Sequence, residues 1–241
     1  MINTISMTCE DIKKDLKKAS DPQKALILAR FFKTRPGEYG EGDVFIGVKM
    51  PDQHQIAKKY IDISLKEAIK LLKSPIHEHR MTSLLILVKK YQKTKNIKEK
   101  QEIYKEYIKN KQYINNWDLV DVTTPKIVGD YLYNNPADLG GLRKMLDSNN
   151  LWDRRIAVLT TYTFIKNGNF DLILEFAEKS LDDSHDLMHK AVGWMLREMG
   201  KIDIEVLRAF LKKHHKTMPR TMLRYAIEKM NANERKKWMA K

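Results

Sequence analysis

HRMTSLLILVKKY, residues 79–91, sets the reading of the fold. Met81, Leu84, Leu85, Val88 and Tyr91 recur at the three-and-four spacing of a helix buried along one face. Three later segments align with it: NWDLVDVTTPKIV from 116, DRRIAVLTTYTFI from 153 and HKAVGWMLREMG from 189. The starts differ by 37, 37 and 36 residues. A period of that size with two helices per unit indicates an α-solenoid of HEAT-like pairs, in which each pair buries its apolar face by stacking on its neighbours. Stacked pairs curve, so the expectation is an all-α, right-handed superhelix with a concave basic face. A helical bundle with chance periodicity stays open. Near the aligned starts stand Arg80, Trp117, Arg154 with Arg155, and Lys190 with Trp194, a set that would line one side of the array.

The rest of the chain reads as one domain over 1–241. Residues 1–33 carry two helices, one capped by Thr8 and one opened by Asp21 and Pro22. Residues 34–50, with four glycines and a proline, form a long irregular loop, either functional or a seam. Stacked pairs fill 51–241. Ser64 and Glu67 have capping-box spacing, and 77–93 with 97–110 reads as an antiparallel pair. Breaks are expected near Asn134–Pro136, Ser148–Asn150, Gly168–Asn169, Asp182–Ser184, Gly200 and His214–Pro219.

With 42% hydrophobic residues and only 10 glycines and 7 prolines among 241, composition favours helices joined by short turns. The net charge is +14, from 45 Lys and Arg against 31 Asp and Glu, which favours a polyanionic partner and nucleic acid first; a basic surface with no specific partner has the same composition. No apolar run approaches about 18 residues and no leader or lipidation signal is read, so no membrane partner is expected. Cys9 is the single cysteine, which excludes an intrachain disulfide and points to a cytoplasmic protein.

In NNWDLVD, residues 115–121, Trp117 and Asp121 stand four apart and would share a helix face. Asp121 lies among Leu119, Val120 and Val122 and would serve a cationic ligand, an ion pair with Arg154, Arg155 or Lys126, or a helix cap near Thr124. Trp152 reads as core. Trp194 follows Gly193, which would let something approach closely. His185 and His189, beside Asp182, Asp183 and Asp186, lack the glutamate of a zinc-protease pattern and read as structural. His77 with His79 is poorly spaced for chelation, and His214 with His215 sits in a basic turn. No metal, cofactor, phosphate loop or hydrolase elbow is expected.

NNWDLVD…TPKIVGDYL, NLWDRRIAVL and HKAVGWMLRE, in that order and at these separations, resemble the DNA alkylation repair family of AlkD-like HEAT-repeat glycosylases. The likeness is strongest over about 75–230. FIGVKMP resembles the family's Gly-Val-x-x-Pro element, with Gln53 and His54 where a basic residue would follow. The resemblance implies aromatic walls at Trp117 and Trp194, a catalytic carboxylate at Asp121 and a basic residue at Arg155 near the lesion strand. It implies hydrolysis of the N-glycosidic bond of positively charged N3- or N7-alkylated purines in duplex DNA, without enclosing the base; a solenoid with a DNA-sized groove can work as a monomer. A cationic purine leaves without protonation, so the carboxylate would stabilise the oxocarbenium-like sugar and orient water. Arg154, Arg155, Lys190, Arg197, Arg220 and Arg224 would bind phosphates. The runner-up is a HEAT-repeat protein that binds nucleic acid without chemistry, and a third reading is a scaffold for an acidic helix.

Overall fold

The structure is a computed structural model that describes residues 7–240; residues 1–6 and 241 of the expected domain lie outside the described residues. Among the described residues the regular elements are helical, and the one strand-like pairing is an isolated bridge between Val44 and Ile76. The fold is all-α with extensive helix–helix packing consistent with a helical-repeat architecture. The chain forms two compact units, unit 1 ending at Thr123 and unit 2 beginning at Thr124.

Unit 1 contains α1 (Cys9–Lys18), α2 (Pro22–Phe31), α3 (Met50–Lys59), α4 (Leu65–Leu72), α5 (His77–Lys93), α6 (Ile97–Lys109) and most of α7 (Trp117–Thr124). The caps form where the sequence puts them. Thr8 and Asp11 make a reciprocal capping box on α1, and Asp21 accepts from the Gln23 and Lys24 amides ahead of Pro22. Ser64 accepts from the Glu67 amide, but Glu67 reaches to the Cys9 amide at 2.8 Å, tying α4 to the first turn of α1. The core helix is α5, packed on α1, α3, α4 and α6 and buried over most of its length. Burial of Leu84, Leu85, Ile86 and Leu87 contributes roughly 1.5–3 kcal/mol each.

The irregular stretch before Met50 is fastened to the start of α5. Glu78, buried in the first turn, accepts from the amides of Ile46 (3.1 Å) and Gly47 (2.7 Å), and the His77 amide donates to Val44 O at 2.8 Å. Gly47 has φ +85° and a Cβ there would lie 2.0 Å from Asp21 O, so both backbone conformation and space demand glycine. Gln53 is buried, and its side-chain amide donates to Val48 O at 2.9 Å. The Gly-Val-x-x-Pro element therefore has a structural role in unit 1: it seats the loop.

Unit 2 runs through a π-helical turn at Pro125–Gly129, α8 (Asp130–Asn134), α9 (Leu139–Leu146), α10 (Leu151–Lys166), α11 (Asp171–Lys179), α12 (Asp186–Ile202), α13 (Ile204–His214), α14 (Arg220–Ala226) and α15 (Ala232–Met239). Pro125 brings no N–H, and its carbonyl accepts both the Asp130 amide across the wide turn and Thr163 Oγ1 at 2.8 Å. Thr124, Gly129 and Asp130 keep right-handed helical dihedrals, so no helix begins at Thr124 and Asp121 has no N-terminus there to cap. In unit 2, α10 packs on α8, α9, α11 and α12, and α12 packs on α10, α11, α13 and α14. The expected breaks occur, with one exception. Gly200 lies inside α12, which continues to Ile202 and stops before Asp203, the N-cap of α13. A Cβ at Gly200 would meet the Leu207 side chain at 2.4 Å; the glycine serves packing against α13 rather than termination. The four aligned segments fall on helices starting at 77, 117, 151 and 186.

Candidate functional site

In unit 1 the site is built on the first turn of α7. Leu119, Val120, Thr123 and Thr124 are buried, while Trp117, Asp121 and Val122 are half-buried, so Trp117 and Asp121 share the less covered face as their spacing predicts. The covered face is anchored by Thr123 Oγ1, which donates to Leu119 O at 2.5 Å and pairs with Tyr107 OH at 2.9 Å. Asp121 takes part in an interaction of its own within the fold.

Behind Trp117 lies a buried charged cluster that the sequence did not reveal. His77 Nδ1 is 3.0 Å from Asp43 Oδ2 and its Nε2 is 2.9 Å from Asp118 Oδ2. Two carboxylates can be satisfied together only by two N–H donors, which makes the ring an imidazolium. Burial acts to lower the pKa of His77, and the bonds to Asp118 and Asp43 outweigh it, raising it from 6.5 to about 9. Arg80 Nη2 donates to Asp43 Oδ1 at 2.6 Å, and Asn116 Nδ2 to Asp43 Oδ2 at 2.9 Å. Burial opposes ionisation of Asp43, but its bonds to His77, Arg80 and Asn116 keep its pKa below the usual value. The same side chains finish α7: Asn116 Oδ1 accepts the Trp117 amide and Asp118 Oδ1 the Leu119 amide, both at 2.8 Å. Arg80, expected along a surface with the other aligned residues, is only 4% exposed and belongs to this cluster.

Aromatic rings connect cluster and indole. Phe32 stacks on Trp117 at 5.2 Å, Phe45 stacks on Phe32 at 5.0 Å and on His77 at 4.5 Å, and Phe31 meets Trp117 edge-on at 6.0 Å. Phe31 is 61% exposed, beside the half-buried indole. Spacing could link none of Phe31, Asp43 or His77 to Trp117, because their contacts are set by the docking of the loop on α5.

Unit 2 holds the remaining candidates. The Trp194 Nε1–H donates to Glu198 Oε1 at 3.1 Å, and Tyr162 lies 6.4 Å from the indole. Gly193 does allow a close approach, but by the protein itself: a Cβ there would be 2.5 Å from Met222 O and 2.6 Å from Tyr225 Cβ on α14. Arg155 is 4% exposed, and its Nη1 donates to Leu187 O, joining α10 to the start of α12. Arg154 is ion-paired with Asp183 at 2.7 Å, Lys190 with Asp186 at 2.7 Å, and Arg197 with Glu198 and Glu228. Arg220 and Arg224 are exposed one turn apart on α14; Arg220 donates to Met239 O at 2.7 Å and Arg224 to Thr221 Oγ1 at 3.3 Å. Trp152 is core, 9% exposed.

The other histidines are used within the fold. His185 caps α12 by accepting from the Leu187 amide, and His189 Nε2 bonds Asp183 O. His214 pairs with Glu178, and His215 with Leu211 O. Burial pushes His79 down to about 4, so it stands neutral two residues from the charged His77, with Nδ1 2.9 Å from Ser74 Oγ.

Comparison with curated proteins finds no match. Among solved structures the chain is similar to a predicted DNA alkylation repair enzyme from Enterococcus faecalis, with a TM-score of 0.68 and 17% identity, covering 88% of this chain and 97% of that one. That likeness speaks to the fold. The family model described as DNA alkylation repair enzyme matches residues 12–230, nearly the whole chain, and the protein therefore belongs to the DNA alkylation repair family.

Proposed function

We propose that this protein is a DNA glycosylase that hydrolyses the N-glycosidic bond of positively charged N3- and N7-alkylated purines in duplex DNA, without deep base flipping. The observation that carries the reading is the pairing of Trp117 with Asp121 on the less covered face of α7, in a chain whose family role is DNA repair. The alkylated base leaves as a neutral purine, so no general acid is required. As the bond to C1′ lengthens, positive charge moves onto the sugar; Asp121 stabilises it and orients the attacking water. The Trp117 face holds the cationic base or the sugar by its ring quadrupole, worth roughly 0.5–2 kcal/mol depending on desolvation. In unit 2 we assign Trp194 a second aromatic contact. Arg155 is assigned an electrostatic role toward the lesion strand, because its guanidinium is covered.

Phosphate contacts are assigned to Arg154, Lys190, Arg197, Arg220 and Arg224. The exposed pair Arg220 and Arg224 is the better supported, since Arg154 and Arg197 already hold carboxylates. We also propose the finer architecture, a HEAT-like right-handed solenoid with a basic concave face; the fall of the four aligned segments on helices starting at 77, 117, 151 and 186 supports it.

The test is release of 7-methylguanine and 3-methyladenine from methylated duplex DNA by wild type and Asp121→Asn. Release should fall roughly 100- to 1,000-fold in the variant with DNA affinity retained. Equal release by the two proteins removes Asp121 from the mechanism. DNA binding with no release by wild type makes the protein a binding module.

A further inference from the structure

His77 lies outside any reacting centre, yet the fold gives it three contacts that converge on the start of α7. Its Nε2 holds Asp118, whose other oxygen accepts the Leu119 amide. Its Nδ1 holds Asp43, whose carboxylate also takes Asn116, and Asn116 Oδ1 accepts the Trp117 amide. Its ring face lies against Phe45 and Phe32, and Phe32 carries the indole of Trp117. A neutral imidazole could donate to one carboxylate only and would leave the other facing a lone pair at about 3 Å, on a ring that is itself buried.

We propose that His77 is a positioning residue: as an imidazolium clamped between Asp43 and Asp118 it fixes the first turn of α7, and with it the Trp117 ring and the Asp121 carboxylate. This inference rests on the proposed glycosylase reading for its catalytic consequence, but its structural content can be read without activity. The groups facing His77 are Asp43 from the loop, Asp118 from α7 and the rings of Phe32 and Phe45, with Arg80 of α5 held on the far oxygen of Asp43. Its neighbours on α5 point elsewhere, Glu78 to the Ile46 and Gly47 amides and His79 to Ser74. Deprotonation of His77 is therefore the event that releases the clamp, and the two carboxylates hold that event above neutral pH, near 9.

The test uses the full chain labelled with 5-fluorotryptophan, which gives four ¹⁹F resonances, that of Trp117 assigned by its loss in Trp117→Phe. In the wild type the Trp117 resonance should shift in one titration step near pH 9, and in His77→Gln it should sit at a displaced position with that step gone. In parallel, base release by His77→Gln should show kcat lower by roughly 10- to 100-fold with KM within about threefold, because a misplaced site loses rate before affinity. The wild-type fall in kcat above pH 9 should be missing from the variant. If wild type releases no base but the ¹⁹F step is present and depends on His77, the clamp stands and the glycosylase reading falls. If His77→Gln keeps the wild-type Trp117 resonance with its step, or keeps wild-type kcat and pH profile in an active enzyme, the clamp is refuted. Should His77→Gln fail to fold, Asp118→Asn decides in its place: it removes one arm of the clamp, must displace the Trp117 resonance if the inference holds, and overturns it if the resonance stays.

Discussion

Trp117 in unit 1 and Trp194 in unit 2 each precede a carboxylate by four residues, Asp121 and Glu198, and sit at the same helical spacing, but the two are supported in different ways. Trp194 is fixed from its own helix: its indole donates to Glu198, whose charge is met by Lys201 at 2.7 Å and by Arg197. Trp117 is fixed from the rest of unit 1, through stacked phenylalanines and a buried charged cluster drawn from a loop and α5. One support is local and part-buried; the other is long-range and, at Asp43, His77 and Arg80, almost wholly buried. A desolvated cluster is sensitive to the loss of any member, because the remaining charges have no water to turn to. Unit 2 has partly covered pairs such as Arg154–Asp183, but its exposed pairs, Arg143–Glu175 and Lys190–Asp186, each contribute little.

That difference can be broken experimentally. The largest effect is expected from Arg80→Ala, which leaves Asp43 without its guanidinium partner; unit 1 should lose roughly 3–5 kcal/mol, read as faster amide exchange in α5. Wild-type stability of unit 1 should also depend on alkaline pH. The folded pKa of His77 lies above its ordinary value, so its contribution is complete below pH 6.5 and fades as pH rises to about 9, a loss of roughly 3 kcal/mol that His77→Gln should not show. In unit 2, Gly193→Ala should cost roughly 1–3 kcal/mol by forcing α12 away from the Met222 carbonyl, with exchange rising in α12 and α14. The smallest effect belongs to the half-exposed Arg143–Glu175 pair of unit 2. Arg143→Ala should change stability by about 1 kcal/mol or less, and a result near that for Arg80→Ala would remove the contrast between the units.

Much of the helix pattern is legible without coordinates, for a local reason. Thr8, Asp21 and Ser64 cap helices because the groups they satisfy lie two or three residues on, and the apolar spacing of 79–91 marks a buried helix because period alone sets which side chains share a face. What a glycine does depends on what lies opposite it. Gly200 resembles a terminator in sequence, but it admits Leu207 in the last turn of α12, which runs on to Ile202, and Gly193 admits α14 rather than a ligand. The arginines behaved likewise: Arg80 and Arg155 occupy early positions in their helices that would suit a surface, yet both are covered.

The sequence by itself determined the all-α class, the caps, the position of the irregular loop and the common face of Trp117 and Asp121, since each follows from interactions within about four residues of chain. Only the tertiary structure decided that Asp43, His77, Arg80, Asn116 and Asp118 form one hydrogen-bonded cluster beneath Trp117. Those side chains meet because Glu78 and the Val44–Ile76 bridge dock a glycine-bearing loop on α5, and the resulting charge on His77 depends on burial and on distances of about 3 Å between residues more than thirty positions apart.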